Sequence, residues 1–139
     1  MIKENVLQVE DYQRLIREAG WEMQPQSAIA AALPRSIVTF STHIDGQTVG
    51  MVRLVGDGHI VFYVQDLVVA KTYRRRGIAT ALMKTVMIYL EKHASHHSFI
   101  GLMSAASLEA FYQQFGFMQG PTVGYGAGMT QVWQKATKE

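Results

Sequence analysis

The sequence predicts an α/β fold: one mixed, mostly antiparallel sheet of about six to seven strands, flanked by about four helices. Three observations lead there. The β-rich runs "SIVTFSTHI" and "QTVGMVRLV" are joined by Asp45-Gly46, a strong two-residue hairpin signal. "HIVFYVQDLVVA" is apolar on both faces, which suits the longest and most central strand. After it, helical periods alternate with short apolar runs, as expected when helices cover the faces of one sheet.

Taken in order, residues 2–8 suit a short edge strand. "VEDYQRLIREAG" reads as a helix, because Tyr12, Leu15, Ile16 and Ala19 share a face and Gly20 supplies the stop. Pro25 opens a second short helix, "QSAIAAAL", which ends before Pro34. The hairpin and the long strand follow, with the turn "GDG" between them at 56–58. Residues 77–93 form the main helix, since Ile78, Leu82, Val86 and Leu90 recur on one face. "SFIGLM" is a further strand and "SLEAFYQQFG" a last helix, with Gly116 as its stop. "FMQG" and "MTQVWQ" are terminal strand candidates on either side of a glycine-rich connection.

Length and composition suit a single domain over residues 1–139. Hydrophobic residues make up 48% and charged residues 17%, enough apolar material for a core and too much for disorder. With no cysteine there is neither a disulfide framework nor a thiolate nucleophile. No apolar run approaches the roughly 20 residues that span a bilayer, and no secretion signal is evident, so a cytoplasmic location is expected. A net charge of +2 suits an anionic ligand without demanding nucleic acid.

The excess charge gathers at "YRRRGIAT", residues 73–80. Adjacent arginines repel one another and have no use in a core. A helix start, however, offers about four N–H groups without intrahelical partners and a partial positive charge. Phosphate gains from both. Gly77 lets a bulky anion approach the backbone, and Arg74, Arg75 and Arg76 add charge.

Here "LVVAKTYRRRGIATALM" resembles the coenzyme A motif of the GNAT N-acetyltransferase superfamily, Gln/Arg-x-x-Gly-x-Gly/Ala, with Arg74, Gly77 and Ala79 at its defined positions. "LEAFYQQFGF", residues 108–117, resembles the family's closing helix and strand, with Tyr112 at the tyrosine position and Gly116-Phe117 as its Gly-Phe. The likeness covers roughly residues 37–134; the segment before fits by helix order. It implies that the coenzyme A pyrophosphate lies on Arg74, Arg75, Arg76, Gly77, Ile78, Ala79 and Thr80. It also implies that Leu67, Val68 and Val69 lie where the central strand bulges and splays from its neighbour, and that their main chain pairs with the pantetheine arm and polarises the thioester carbonyl. Ala105 stands where many members carry an asparagine that touches the cofactor arm, so Ser104 or Ser107 must supply that contact or it is absent.

Acetyl-coenzyme A would then be the cosubstrate, with no metal, and a primary amine of a small molecule or peptide the acceptor. Attack on the thioester needs a neutral amine, a stabilised oxyanion and a proton for the departing sulfur. The resemblance offers Tyr112 as the acid; a phenol is protonated at neutral pH. Asp66 shares a face with Phe62, Val64 and Val68 on an apolar strand. It either takes the amine's proton or ties down a neighbouring loop, and the residues leave both open. Glu109 is a weaker candidate base.

Three alternatives bear on neighbouring features. His93, His96 and His97 read as a polar helix end rather than a metal site, and His43 and His59 as exposed turn residues. "GYGAGM" lacks the strand-before, helix-after context of a dinucleotide fingerprint; Tyr125 and Met129 beside it are candidate substrate contacts, with Trp21 and Met23 on an opposite wall. A non-catalytic acyl-coenzyme A module is a second reading of the whole chain. A nucleic-acid patch is disfavoured because Lys71 and Arg74–Arg76 are too localised. No membrane partner is expected, and an exposed C-terminal strand would make a homodimer easy.

Overall fold

The computed structural model describes residues 1–136, so the expected domain end at Glu139 lies outside the described residues. The chain divides into two compact units, Met1–Met103 and Ser104–Glu139.

The first unit holds a sheet ordered β1-β2-β3-β4-β5, formed by β1 (Ile2–Glu4), β2 (Val38–Ile44), β3 (Gln47–Gly56), β4 (Val61–Val69) and β5 (Phe99–Leu102). The first four strands run antiparallel and β5 runs parallel to β4. The hairpin forms as its sequence demands: Asp45 and Gly46 both take positive φ (51° and 75°), and Ile44 pairs with Gln47. At the next turn Gly56 has φ 136°, and a Cβ there would lie 2.2 Å from the Val61 carbonyl oxygen, so only glycine fits.

Two expectations are corrected here. β3, with 10 residues, is longer than β4 with 9, and β3 rather than β4 lies at the middle of the sheet. β4 also alternates buried and half-buried positions, because only one of its faces is fully covered. Its apolar outer residues had suggested two covered faces.

Helix α1 (Val9–Ala19) buries Tyr12, Leu15 and Ile16. It stops at Gly20, whose left-handed backbone (φ 75°) returns its N–H to Arg17 O, followed by Trp21 N–H to Ile16 O. Helix α2 (Gln26–Ala32) starts after Pro25 and tightens into a 3₁₀ turn, Leu33–Arg35, around Pro34. Helix α3 (Ile78–His93) buries the predicted stripe of Ile78, Leu82, Val86 and Leu90. It packs on β3 at Gly50, where an added Cβ would meet Ile78 Cγ2 at 2.9 Å. Arg53 of β3 instead reaches the α1 side. Alternation along β3 therefore puts α1 and α3 on opposite faces.

His43 is half-buried rather than exposed. Its ring lies 2.8 Å from Ser41 Oγ, and burial, with nearby Lys3, holds its pKa below the usual imidazole value. Asp57 accepts the N–H groups of His59, Ile60 and Val61 and so ties off the β3–β4 turn. Among the described residues, no helix is long and apolar enough to cross a membrane.

The second unit contains α4 (Glu109–Gln113), shorter than the predicted helix because the chain tightens through Gln114 to Gly116, with Phe115 N–H donating to Tyr112 O and Gly116 N–H to Gln113 O. The terminal strands do not form among the described residues, so the sheet has five strands and not six or seven. Only an isolated bridge, Thr122 with Tyr125, marks this region. The run "MTQVWQ" alternates like a strand, but alternation gains nothing without a face to bury it, and Met129, Val132 and Trp133 are exposed here.

Candidate functional site

The chain leaves β4 at Val69 and reaches α3 through a 3₁₀ turn, Lys71–Tyr73, and the arginine segment. Lys71 N–H donates to the Glu18 carboxylate (3.0 Å), which ties the start of this connection to α1. Arg75 (φ 65°) and Gly77 (φ 79°) both take left-handed backbone. Such turns fold successive N–H groups into a concave anion seat. The first intrahelical bond of α3 runs from Ala81 N–H to Gly77 O (3.0 Å), and the amides of Arg75 through Thr80 have no main-chain acceptor among the described residues. All of these residues except Arg76 line a cavity of about 190 Å³, together with Val69, Tyr73 and Arg74. A Cβ on Gly77 would meet no protein atom within 4 Å, so its missing side chain leaves open space.

The arginine side chains divide their work. Arg74 Nε–H donates to the Val69 carbonyl oxygen (3.2 Å), pinning the loop to the end of β4. The Arg76 guanidinium lies over the Tyr73 ring, 4.9 Å from its centroid. Arg75 is exposed.

β4 bulges and parts from a neighbour. Met51 pairs with Val68 but Arg53 with Gln65, so Asp66 and Leu67 together oppose Val52 alone. Asp66 is the bulged residue, at φ 60°. Pairing with β5 ends at Val64 and Leu102, leaving residues 65–69 bonded on the β3 side only. Ala70 N–H donates to Val49 O while Gly50 stands opposite Val69, so Val69 is in a non-hydrogen-bonded pair. Its own N–H and C=O therefore turn away from β3, to the side that β5 has left, whereas Val68 belongs to the ladder with Met51.

The bulge also delivers Asp66 to a buried polar cluster. Its Oδ2 accepts the Tyr12 hydroxyl (2.8 Å) and Arg53 Nε–H (2.8 Å), and its Oδ1 accepts Gln65 Nε2–H (3.2 Å). The Arg53 and Asp66 side chains are only 13% and 6% exposed, so the ion pair is shielded from water. Arg53 also donates to Ser36 Oγ (3.0 Å). Burial first, and the adjacent Asp66 charge second, push the Tyr12 phenol far above the usual tyrosine range. A cavity of about 400 Å³ opens over this cluster, walled by Ile16 of α1, Ala28, Ile29 and Ala32 of α2, Leu33 after it, and Trp21 and Glu22 on the connection between the helices. Trp21, expected on a wall, lines it; Met23 does not.

In the second unit, Tyr112 is buried on α4, with the Phe111 and Phe117 rings edge-on to it (centroids 5.1 and 6.3 Å away). Its hydroxyl has no hydrogen-bond partner among the described residues, and burial raises its pKa, which keeps the phenol protonated. Glu109 is half-exposed at the start of α4. Ser104 and Ser107 donate to the carbonyls of Ala105 and Ala106, so both hydroxyls are engaged within their own turn. No group of three or more His, Asp or Glu side chains suited to a metal is found among the described residues; His96 and His97 lie ring against ring at 3.9 Å.

The sequence-predicted residues of the first unit thus fall into two adjoining places joined by residues 65–69: the amide seat at one end and Asp66 with its cavity at the other. Arg53 and Tyr12 were not anticipated. Arg53 had one local signal, a lone cation inside "GMVRLV"; Tyr12 looked like any apolar helix position, and its partner is 54 residues away.

A mixed sheet with a bulged, parting strand that leads into an amide-lined helix start is the architecture of the GNAT class, and the family model for the acetyltransferase (GNAT) domain matches residues 11–133. The chain belongs to that family. A solved structure of a protein of unknown function from meticillin-resistant Staphylococcus aureus is 27% identical with a TM-score of 0.84, covering 96% of this chain and 100% of that one. A GNAT-family acetyltransferase from Streptococcus pneumoniae is 28% identical with a TM-score of 0.80, covering 97% and 98%. A protein of Glycine max named as a histone acetyltransferase is 27% identical over 125 residues, 81% of this chain and 53% of that protein. The chain thus spans about half the length of that curated relative. The glucosamine-6-phosphate N-acetyltransferase of Arabidopsis thaliana, 11% identical with a TM-score of 0.68, shares the fold.

Proposed function

We propose that this chain, acting as one domain, transfers the acetyl group of acetyl-coenzyme A to a primary amine by direct attack of nitrogen on the thioester. The observation that carries the reading is the run of unengaged amides from Arg75 to Thr80 at a cavity of about 190 Å³, beside a strand that from Gln65 to Val69 has no strand paired on its β5 side among the described residues. A diphosphate suits that seat, because N–H groups and the α3 terminus both favour negative charge without a counter-ion. The Val69 N–H and the Leu67 main chain offer groups to an extended amide-bearing arm, as a strand edge does.

Bound acetyl-coenzyme A supplies the acyl group in activated thioester form. The chain's residues manage the protons. Asp66, with about four lone-pair sites on its carboxylate and three donors already bound to it, keeps one to receive the ammonium proton, directly or through water. The nitrogen–carbon bond forms, the carbon–sulfur bond breaks, and Tyr112 gives its proton to sulfur. Nitrogen loses two protons in becoming the amide: Asp66 takes the first and passes it to water, and the second, released after attack, replaces the proton that Tyr112 gave to sulfur. The raised Tyr112 pKa supports an acid that is still loaded at neutral pH.

Two measurements test this. Calorimetric titration with acetyl-coenzyme A should give saturable binding, and thiol release should depend on an added amine. Tyr112→Phe should leave binding within about twofold while lowering kcat by ~10²–10⁴, the range of a lost acid. Unchanged turnover removes Tyr112 from the reaction; absent binding removes the reaction altogether.

A further inference from the structure

Resting on the acetyl-transfer reading, we propose that the acceptor is a small primary amine carried on an apolar ring or branched aliphatic body, seated in the α1–α2 cavity with Trp21 and Glu22 selecting it.

Size comes first. An apolar cavity of about 150 Å³ holds benzene. The volume here, about 400 Å³, therefore admits a ring with a short alkylamine arm and is near the lower limit for ligand sites. The walls are aliphatic where α1 and α2 face inward, at Ile16, Ile29 and Leu33. A polyhydroxylated acceptor would press its hydroxyls against these side chains without partners. The polar floor gives little help, because Tyr12, Arg53, Gln65 and Asp66 are hydrogen-bonded to one another.

Charge comes second. The cavity is lined by the carboxylates Glu22 and Asp66 against the single guanidinium Arg53. Arg53 is matched by Asp66 at 2.8 Å. Glu22 has no ion pair or hydrogen bond among the described residues and so leaves the site negative. A phosphorylated acceptor meets no unmatched cation there. An ammonium meets the Glu22 carboxylate and the face of Trp21, a ring that stands 44% exposed on the connection between α1 and α2. Acetylation turns that cation into a neutral amide, so these contacts hold the substrate and release the product. The same cavity reaches Asp66 and Gln65 at the head of the free edge of β4, which puts the amine end where the proposed transfer needs it.

The test uses the whole chain. Phenethylamine and cyclohexylmethylamine are compared with an amino-sugar phosphate, spermidine and a lysine peptide, as acetyl acceptors and, without acetyl-coenzyme A, by calorimetry. The apolar amines should show kcat/KM at least ~10-fold above the others, equivalent to about 1.4 kcal/mol. Trp21→Ala should raise KM for phenethylamine about tenfold with kcat nearly unchanged. Glu22→Gln should raise it severalfold, less so at high salt. Neither variant should alter the Kd of acetyl-coenzyme A. Preference for the sugar phosphate, spermidine or the peptide overturns the proposal, as does a phenethylamine KM indifferent to both substitutions. Failure of acetyl-coenzyme A itself to bind overturns the transfer reading instead. The calorimetric arm then still decides whether the cavity takes apolar amines, and absence of heat with phenethylamine counts against it in every case.

Discussion

Two of the first unit's cavities are built from opposite materials. The seat before α3 is walled largely by main chain: N–H groups left without partners by two left-handed residues, Arg75 and Gly77. The cavity under α1 and α2 rests on side chains that engage one another, with Asp66 accepting from Tyr12, Arg53 and Gln65. The first is held by only a few side chains, Arg74 on the Val69 carbonyl and Glu18 on the Lys71 N–H, and leaves its own amides open toward a ligand. The second exists only because β3, β4 and α1 bring distant residues together. Main chain can recognise a constant group such as a diphosphate whatever side chains surround it. A side-chain cavity changes with every substitution, which suits the part of a site that must choose an acceptor.

The largest test of that contrast removes the centre of the side-chain cluster. Arg53→Leu leaves the Asp66 carboxylate 6% exposed and without its counter-ion. Breaking one half of such a pair costs about 3–5 kcal/mol. Urea unfolding should show the loss, and replacing Asp66 with Asn as well should recover much of it, because Asn tolerates φ 60°, carries no charge and still accepts the Tyr12 hydroxyl. Acetyl-coenzyme A affinity in the folded fraction should not move, because nothing in the amide seat touches Arg53. A loss below about 1 kcal/mol would mean that the pair is as weak as an exposed one.

A smaller effect follows from Tyr12→Phe. The hydroxyl donates 2.8 Å to a charged acceptor, and such bonds contribute about 1.5–3 kcal/mol. The pH dependence has a definite sign. The folded phenol titrates well above its unfolded value near 10, chiefly because it is buried. The unfolded chain therefore releases this proton first, so the stabilisation is fully present below about pH 10 and is lost as pH rises from there through the folded value. Wild type and Tyr12→Phe should differ most at neutral pH and converge above pH ~10 in urea melts. A constant gap across that range would remove the phenol's titration from the account.

The same contrast explains what the sequence disclosed. The amide seat was legible because its causes are local. Gly77, the arginines and the apolar stripe of α3 lie within a few residues of one another, and a helix start has the same orphan amides wherever it occurs. The hairpin at Asp45-Gly46 was legible for the same reason. The Asp66 cluster was not. A carboxylate on an apolar strand announced that it needed partners, but Tyr12 and Arg53 are 54 and 13 residues away and carry no shared signature. The bulge that aims Asp66 at them is a register event between β3 and β4; the family resemblance implied a bulge nearby, but the residues of either strand alone do not reveal it. The terminal run "MTQVWQ" erred in the other direction, since alternation states that a strand can form and not that a neighbour will accept it.

The smallest expected effect sharpens the contrast from the main-chain side. Gly77 has φ 79° and ψ 11°, and a Cβ there meets no protein atom within 4 Å. Gly77→Ala and Gly77→Val therefore lose stability through backbone conformation alone, about 1–2 kcal/mol for a residue with a Cβ in the left-handed region. Binding should respond differently from stability. Alanine keeps the amides near their places and adds one methyl group to the open space, whereas valine fills that space and resists the left-handed backbone more strongly. Acetyl-coenzyme A affinity should fall severalfold in the first and more than ~10-fold in the second, beyond what the stability loss accounts for. Tyr12→Phe and Arg53→Leu, the more destabilising changes, should leave that affinity alone. If both Gly77 variants bind acetyl-coenzyme A as wild type does, the diphosphate is not held at these amides, and the main-chain half of the comparison fails while the side-chain half stands.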